Sequence, residues 1–322
     1  MAAVRGIVDY WNMTSEEALV QVWLNIDNAV LATITFPMTA FGNFLVVLSV
    51  WMDPLRKLRS SPSNFIIFSM ALADLLVGLV TSPLHAFLAW ALLHKYTNAS
   101  FGFSKFFATL INISVGDILL LSIDRFFAVV TPLQYRAKVT SKRVCIVSVA
   151  LWIYFLLFGI VFSLLRKHYA LMETLYNVQI FCILICIVVI NVFTLYRFHK
   201  YSHSTKALDE QHAGVSRQMI LQRERTVSKA IAIVISAFLL CFIPWFIVQI
   251  IIYICLTCNL SLLILYFIAA AVMYVNSAIN PFLYAWRLPK YKQTFKHILK
   301  KRTCCGRYET REAVDHVEDT RL

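Results

Sequence analysis

Seven long stretches of this chain are almost free of charged side chains, and these stretches limit the folds that it can adopt. The hydrocarbon core of a bilayer is about 30 Å thick, so a helix needs roughly 20 apolar residues to cross it. All seven stretches reach that length, and they are 29–51, 64–84, 106–130, 144–164, 175–196, 230–254 and 260–286. Transmembrane β-strands would instead alternate polar and apolar residues over about ten positions. The sequence therefore predicts an all-α membrane protein, a bundle of seven transmembrane helices.

Basic residues are distributed unevenly between the two sides of this predicted bundle. Four connecting or terminal segments contain 24 of the 30 Lys and Arg residues, and they are 52–63, 131–143, 197–229 and 287–322. The positive-inside rule places the C-terminus in the cytosol and, after seven crossings, the N-terminus outside, as in a multi-pass protein of the plasma membrane. The sequons at Asn12 and Asn98 would then be extracellular candidate glycosylation sites. This topology and attraction to anionic membrane lipids explain the net charge of +13, so no nucleic-acid partner is expected.

The predicted chain has one membrane domain with short flanking segments. We assign 1–28 to an extracellular N-terminus, 29–286 to the seven-helix domain, 287–303 to a short amphipathic helix and 304–322 to a cytoplasmic tail. The amphipathic helix is indicated by apolar residues at helical spacing opposite lysines, which is typical of helices on a membrane surface. The apolar residues are Tyr291, Phe295, Ile298 and Leu299, and the lysines are Lys292, Lys296 and Lys300.

Two pairs of cysteines lie near the predicted membrane surfaces. Cys255 and Cys258 form a CxxC motif at the outer end of the sixth stretch, where they are either a disulfide or two free thiols. Cys304 and Cys305 follow the basic amphipathic segment on the cytosolic side. Paired cysteines in that position are candidate palmitoylation sites.

Several polar side chains interrupt the apolar stretches, although polar groups in hydrocarbon are costly and usually face the interior of a bundle. They are Asn43, Asp74, Ser114, Asn276, Ser277 and Asn280. One carboxylate with several hydroxyl and amide oxygens suits a small hard cation such as Na⁺. A hydrogen-bonded polar seam between helices explains the same residues without an ion. The residues alone leave both interpretations open.

Three charged residues lie in the third stretch. Asp124 and Arg125 stand side by side near its end, where they are either a paired switch or interfacial charges that extend toward water. Asp117 lies deeper in the predicted membrane. We expect Asp117 to be protonated or strongly hydrogen-bonded, with Ser69 and Trp152 as its partners.

Six short motifs follow one another at corresponding depths of the predicted helices. They are "GN" at Asn43, "MALAD" at Asp74, "IDRFF" at Asp124 and Arg125, Trp152, "CFIP" at Pro244, and "NPFLY" from Asn280 to Tyr284. On these motifs the chain resembles the class A (rhodopsin-like) G-protein-coupled receptors over all seven stretches. The third stretch lacks an outer cysteine, the fifth lacks a proline, and the second outer loop is short. In these respects the chain is similar to the melanocortin, lysophospholipid, cannabinoid and adenosine receptor branch.

The resemblance implies a receptor that activates a heterotrimeric G protein at its cytosolic face. In this family the arginine of the third-helix motif pairs at rest with the adjacent Asp and with an acid at the foot of the sixth helix. Here these residues would be Arg125, Asp124 and Glu224. On activation the sixth helix moves outward, the pairing breaks, and the arginine helps to receive the G protein. Arrestin is a further candidate partner.

The resemblance also implies activation switches and a sodium site that favours the inactive state. The switch residues would be Phe242, Pro244, Asn280, Pro281, Tyr284 and Tyr196, with Phe242 in place of the family's tryptophan. The sodium ligands would be Asp74, Ser114, Asn276 and Asn280. No cofactor is implied apart from this allosteric ion, and the protein is not expected to be an enzyme.

Positions that select the ligand in similar receptors differ in this chain. Amine receptors carry an Asp where this chain has Phe107, and adenosine receptors carry an Asn and a His where it has Gln249 and Tyr274. The candidate ligand pocket is therefore apolar and aromatic, and it comprises Phe103, Phe107, Trp245, Phe246, Gln249 and Tyr274. We expect a neutral lipid-like or small aromatic extracellular ligand, with a nucleoside or a peptide as alternatives.

A transporter or channel is the alternative class, because it would also have several spans and buried polar groups. Transporters are typically built from internal repeats or broken helices, and the sequence shows no internal repeat. An intramembrane enzyme would need a nucleophile–base pair or a metal constellation, and the predicted spans show neither.

Overall fold

Long helices make up almost all of the computed structural model of this chain. It describes residues 15–59, 61–84, 87, 100–165, 168–208, 215–254 and 260–299, and these residues form helices and turns without a β-strand. In chain order the helices are α1 (Ser15–Met52), α2 (Pro62–Leu76), α3 (Ser100–Val130), α4 (Pro132–Lys138), α5 (Ser141–Leu164), α6 (Tyr169–Leu208), α7 (Val215–Ile254), α8 (Leu260–Arg287) and α9 (289–299).

Each of the seven predicted stretches lies in one long helix, so the predicted helical bundle is confirmed. Within the described residues, six helical segments are long and apolar enough to cross a membrane, and they are Thr33–Met52, Pro62–Leu84, Ser141–Leu164, Leu171–Phe198, Val227–Ile252 and Ile264–Arg287. The remaining predicted crossing is α3, which differs from the other six because it carries Asp117, Asp124 and Arg125. The helices also continue past the apolar stretches, most clearly in α6 and α7.

A π-helical turn, Val77–Thr81, extends α2 to residue 84. The Val77 carbonyl accepts hydrogen bonds from the Thr81 hydroxyl at 2.7 Å and the Ser82 hydroxyl at 3.1 Å. The Ser82 backbone N–H also donates to this carbonyl, five residues back. These donors stabilise the wider turn, which would otherwise have poorer backbone hydrogen bonding than an α-helix.

Helix α3 lies at the centre of the bundle and packs against α2, α5, α6 and α7. Its inward side chains Leu110, Ile113, Ile118 and Leu121 are fully buried. Many large apolar side chains of α5 and α6 are instead exposed, among them Ile146, Ile153 and Val189. Apolar surface on this scale is typical of helices that contact lipid.

Helices α1 and α8 pack closely and join the first and last crossings. A Cβ atom at Gly42 would lie only 2.9 Å from Cγ of Pro281, so this contact requires glycine. The adjacent Asn43 amide donates to the Ser277 carbonyl at 3.0 Å and to the Thr39 carbonyl at 2.9 Å. The "GN" and "NPFLY" motifs thus meet at this junction.

Asp53 organises the turn between α1 and α2. Its carboxylate accepts hydrogen bonds from the backbone N–H groups of Lys57, Leu58 and Arg59 at 2.9–3.0 Å. Burial acts to raise the pKa of Asp53, but these donors outweigh burial and lower it below its usual value. The Lys57 ammonium also donates to the Gln293 side chain at 3.1 Å, which connects this turn to α9.

Candidate functional site

A compact cluster of polar side chains surrounds Asp124 and Arg125 at the end of α3. Pro62 begins α2, which places Ser63 in its first turn, and Tyr135 lies on the short helix α4. The Asp124 carboxylate accepts hydrogen bonds from the Ser63 hydroxyl at 2.8 Å and from the Tyr135 hydroxyl at 2.7 Å. The Arg125 guanidinium donates to the same carboxylate at 2.6 and 2.9 Å. We call Ser63, Asp124, Arg125 and Tyr135 the arginine cluster.

Arg125 has further partners within the arginine cluster. It donates to the Tyr135 hydroxyl at 3.2 Å and to the Ser63 hydroxyl, and its guanidinium lies 5.9 Å from the centre of the Tyr135 ring. Asp124 and Arg125 are 5% and 4% exposed, so their charges are compensated by each other and by these neutral donors rather than by water. Burial and the Asp124 charge raise the pKa of Tyr135, which keeps its hydroxyl a proton donor.

Two members of the arginine cluster, Ser63 and Tyr135, were not recognised in the sequence. Ser63 lies in the first turn of α2 and Tyr135 lies on α4, both outside the six motifs, so neither was marked by a pattern of its own. A Tyr eleven residues after the Asp of the motif is the one pattern that would have indicated the contact. The backbone of Glu224 belongs to α7, but its side chain lies outside the described residues, so its pairing with Arg125 stays a prediction.

A second polar cluster surrounds the buried carboxylate of Asp74. It accepts hydrogen bonds from the Ser277 hydroxyl at 2.8 Å, the Asn280 amide at 2.9 Å and the Ser114 hydroxyl at 3.4 Å. Three of the four predicted sodium ligands therefore lie together, and Ser277 joins them from α8. Asn276 is buried on the same helix, but the observed hydrogen bonds to Asp74 come from the other three residues.

Asp117 forms a third polar cluster between α2, α3 and α5. The Ser69 hydroxyl donates to the Asp117 carboxylate at 2.7 Å and accepts from the Trp152 indole N–H at 2.8 Å. Both expected partners of Asp117 are therefore present, with Trp152 acting through Ser69. Asp117 is completely buried, and its second carboxylate oxygen has no hydrogen-bond partner in the part of the chain that the structure describes.

The predicted switch residues occupy different environments. Phe242 is buried in α7, stacked on Phe238 with ring centres 5.1 Å apart and edge-on to Trp245 at 5.3 Å. Tyr284 is buried, and its hydroxyl points to the sulfur of Met70 at 3.8 Å. Tyr196 is 59% exposed on α6, so the structure does not bring the two switch tyrosines together.

Two proline switch residues lie within helices: Pro244 in α7 and Pro281 in α8. A proline inside a helix removes one backbone hydrogen bond and favours a bend there. Asn280, next to Pro281, donates to Asp74 and thereby links this bend to the second polar cluster.

The predicted ligand pocket is described in part. Trp245 and Phe246 are buried, Gln249 is half-buried, and Phe246 stacks on Phe181 with ring centres 6.1 Å apart. The side chains of Phe103, Phe107 and Tyr274 lie outside the described residues. The predicted modification sites also lie outside them, and these are Asn12, Asn98, Cys255, Cys258, Cys304 and Cys305.

Comparison with known proteins identifies the class to which this bundle and its polar clusters belong. The model of the seven-transmembrane receptors of the rhodopsin family matches residues 42–284, which is more than half of the chain. The chain therefore belongs to the rhodopsin family of seven-transmembrane receptors. It is a G-protein-coupled receptor and not an enzyme, and the transporter or channel alternative is not supported.

Individual relatives include receptors with different named ligands. The adenosine receptor A2a of Canis lupus familiaris is 25% identical over 286 residues, which cover 80% of this chain and 68% of that receptor. The octopamine receptor beta-1R of Drosophila melanogaster is 27% identical, covering 80% of this chain and 58% of that receptor. The trace amine-associated receptor 13c of Danio rerio is 26% identical, covering 82% and 83%. The predicted likeness to adenosine receptors is therefore confirmed.

Replacing Tyr135 with Phe should raise the receptor's basal activity. The substitution removes the hydroxyl that binds both Asp124 and Arg125 and leaves the aromatic ring in place. Hydrogen bonds to charged groups contribute about 1.5–3 kcal/mol, so losing this hydroxyl should weaken the contacts that hold Arg125 at rest. We therefore expect agonist-free nucleotide exchange on purified G protein to increase roughly tenfold. The control is Tyr154→Phe, because Tyr154 is an exposed tyrosine on α5. Equal basal exchange in Tyr135→Phe and the wild-type receptor would contradict this role.

Proposed function

We propose that the receptor signals by releasing Arg125 from the arginine cluster so that it can bind a heterotrimeric G protein. The supporting observation is that the buried Arg125 guanidinium donates hydrogen bonds to side chains of α2, α3 and α4, at one end of the bundle. A charge in such a site exchanges its partners only if a new acceptor replaces them, because an unpaired buried charge is strongly destabilising. An inserted G-protein segment would supply that acceptor and thereby stabilise the open conformation.

The helix that moves in this change would be α7. Pro244 interrupts its backbone hydrogen bonding, and buried aromatic rings surround the adjacent turn. Glu224 lies 20 residues before Pro244, which corresponds to about 30 Å along the helix. A bend of about 10° at Pro244 would therefore move the helix end near Glu224 by about 5 Å, enough to separate Glu224 from Arg125.

The proposed location is the plasma membrane, with the N-terminus outside and the C-terminus in the cytosol. The uneven distribution of Lys and Arg supports this orientation. It would expose Asn12 and Asn98 to glycosylation, place Cys255 and Cys258 in an oxidising compartment as a disulfide, and leave Cys304 and Cys305 for palmitoylation. Arrestin would be a second partner of the opened cytosolic face, and membrane lipids would surround the bundle.

Arg125→Ala should abolish most G-protein activation. We expect at least a tenfold lower rate of nucleotide exchange on purified G protein, since the variant lacks the guanidinium that is proposed to bind the G protein. Arg143→Ala is the matched control, because Arg143 is an exposed arginine just before the apolar part of α5. An N-terminal epitope, detected by antibody on intact cells, normalises expression and tests the orientation. Full activity of Arg125→Ala, or an epitope accessible only after permeabilisation, would contradict the proposal.

We also propose that a sodium ion binds beside Asp74 and stabilises the inactive conformation. One buried carboxylate with the Ser114 and Ser277 hydroxyls offers oxygen ligands and a single negative charge, which fits a hard monovalent cation. Within the described residues, no three His, Cys, Asp or Glu side chains are grouped so that they could hold a metal ion, so a transition-metal site is not indicated there. The bound ion would supply a positive charge that neutralises Asp74 in the bundle interior.

Sodium should lower the basal activity of the wild-type receptor, and Asp74→Asn should remove this effect. At ~0.15 M NaCl we expect agonist-free nucleotide exchange to fall roughly fivefold relative to the same concentration of choline chloride. Asp117→Asn is the matched control, because Asp117 is also a buried acid but binds Ser69 rather than the residues around Asp74. A sodium response in Asp74→Asn equal to that of the wild type would contradict the site.

The proposed ligand is neutral and lipid-like or a small aromatic molecule. Trp245 and Phe246 provide buried aromatic surface, and Gln249 provides a polar contact without charge. Two of the relatives are named as octopamine and trace amine receptors. An amine ligand would lack an acidic partner in this chain, because Phe107 stands where amine receptors carry an Asp. Adenosine would meet Gln249 and Tyr274 in place of the Asn and His of adenosine receptors. A nucleoside or a peptide is the alternative ligand class.

A ligand screen by thermal unfolding of the purified receptor tests this selectivity. We expect neutral monoacylglycerols, fatty-acid amides or small aromatic heterocycles to raise the unfolding temperature, because ligands that bind the folded state stabilise it. Octopamine and adenosine should not raise it. Phe246→Ala should abolish the shift, and Phe41→Ala, which alters an exposed phenylalanine on α1, should retain it. Stabilisation by octopamine alone would overturn the neutral-ligand proposal.

A further inference from the structure

An open apolar groove lies where α8 ends and α9 begins. Its volume is about 620 Å³, within the roughly 300–1,000 Å³ typical of ligand sites. Phe282 and Trp286 from α8 and Phe295 and Leu299 from α9 provide its apolar surface. Phe282 is 54% exposed and Trp286 is 65% exposed, so the groove opens away from the bundle. We call it the α8–α9 groove.

Two lysines give the groove a positive edge. Lys292 and Lys296 both line it, and their spacing of four residues places them on one face of α9. Residues 287–299 contain no Asp or Glu, and neither lysine has an ion-pair partner in the described part of the chain. Like charges at this spacing repel each other, so an anion between them would stabilise the helix.

A third cation lies near the apolar surface of the groove. The Arg287 guanidinium stacks over the Trp286 ring with its carbon 3.6 Å from the ring centre. This cation–π contact fixes the indole that forms one side of the groove and adds positive charge at the end of α8.

The bundle holds α9 in place beneath the groove. Tyr291 is buried and packs against Tyr284, with ring centres 5.9 Å apart, and Thr294 is fully buried. The hydrogen bond from Lys57 to Gln293 ties the exposed side of α9 to the α1–α2 turn. The two lysines therefore project from a fixed helix rather than from a mobile chain end, so their spacing is preset for a ligand.

We propose that the α8–α9 groove binds one anionic phospholipid of the cytosolic leaflet. An acyl chain would lie against Phe282, Trp286 and Phe295, and the phosphate with its anionic headgroup would lie between Lys292 and Lys296. Apolar surface beside paired cations matches the two parts of such a lipid, whereas a free anion would use only the lysines. The proposal rests on the cytosolic orientation of α9 proposed above, but not on the extracellular ligand.

Lipid binding to the full-length receptor tests this site directly. Native mass spectrometry of the detergent-purified protein, titrated with phosphatidylserine or phosphatidylcholine of identical acyl chains, measures the affinity of the first retained lipid. We expect phosphatidylserine to bind more tightly, and Lys292→Gln with Lys296→Gln to weaken its binding about ten- to thirtyfold. Trp286→Ala should weaken both lipids, because it removes apolar contact. The matched control, Lys138→Gln with Lys142→Gln, removes two exposed charges elsewhere on the cytosolic side and should leave binding unchanged.

Several results would overturn the proposal. One is unchanged phosphatidylserine binding by the Lys292/Lys296 variant. Another is an equal loss in the control pair, which would indicate attraction to net charge only. Competition by inorganic phosphate would indicate a site for free anions. Tighter binding after Cys304→Ser and Cys305→Ser would identify the chain's own acyl group as the occupant. Unfolding temperature and nucleotide exchange of each variant are measured in parallel, so a failure of folding or signalling is distinguished from a failure of lipid binding.

Discussion

The pairing of Asp124 with Arg125 is the interaction on which the packing of α2, α3 and α4 at one end of the bundle depends. Either charge alone in this buried position would be strongly destabilising, and together they are tolerated because the carboxylate also accepts two hydroxyl hydrogen bonds. Those hydroxyls come from Ser63 on α2 and Tyr135 on α4. The ion pair therefore determines how three helices meet, and any event that separates the pair must also rearrange these contacts.

Polar contacts join α2 and α3 at three depths of the membrane. Ser114 donates to Asp74, Ser69 donates to Asp117, and Ser63 donates to Asp124, so serine–aspartate pairs recur along this interface. Such bonds have fixed geometry and are costly to break in a bundle interior, which makes α2 and α3 a rigid unit.

The contacts of α7 around its proline are of a different kind. Phe238, Phe242 and Trp245 are buried, and the Phe242 ring contacts the rings of both Phe238 and Trp245. Apolar contact is non-directional, so these rings can shift relative to one another with little loss of contact. This turn also makes a polar contact between the Trp245 indole and the Tyr266 hydroxyl on α8, and a shift must keep or replace it. Polar contacts thus hold α2 and α3 rigidly together, whereas the mainly apolar contacts of α7 allow that helix to move.

The sequence predicted the helices well because a membrane imposes a minimum length and an apolar composition on each crossing. The helix ends were predicted less well, since α6 and α7 continue past the apolar stretches into segments where helix and loop have similar composition. Motifs located Asp74, Asp124 and Arg125, but not the two hydroxyl partners of Asp124. Ser63 and Tyr135 contribute through the geometry of helix starts, which a linear pattern does not record. The outward position of Tyr196 likewise depends on the rotation of α6, which its uniformly apolar sequence does not determine.

Tyr291 connects the switch region of α8 to the α8–α9 groove. Its ring packs against Tyr284 of the "NPFLY" motif and against Phe295, which lines the groove. Burial, followed by the nearby Asp53 charge, raises the pKa of Tyr291, and its hydroxyl has no hydrogen-bond partner within the described residues. A buried hydroxyl without a hydrogen-bond partner costs about 1–3 kcal/mol. The packing of the Tyr291 ring must outweigh this cost to hold α8 and α9 together. A movement of Tyr284 would therefore be transmitted to α9 through side-chain packing, and a lipid in the groove would act on the same contact from the other side.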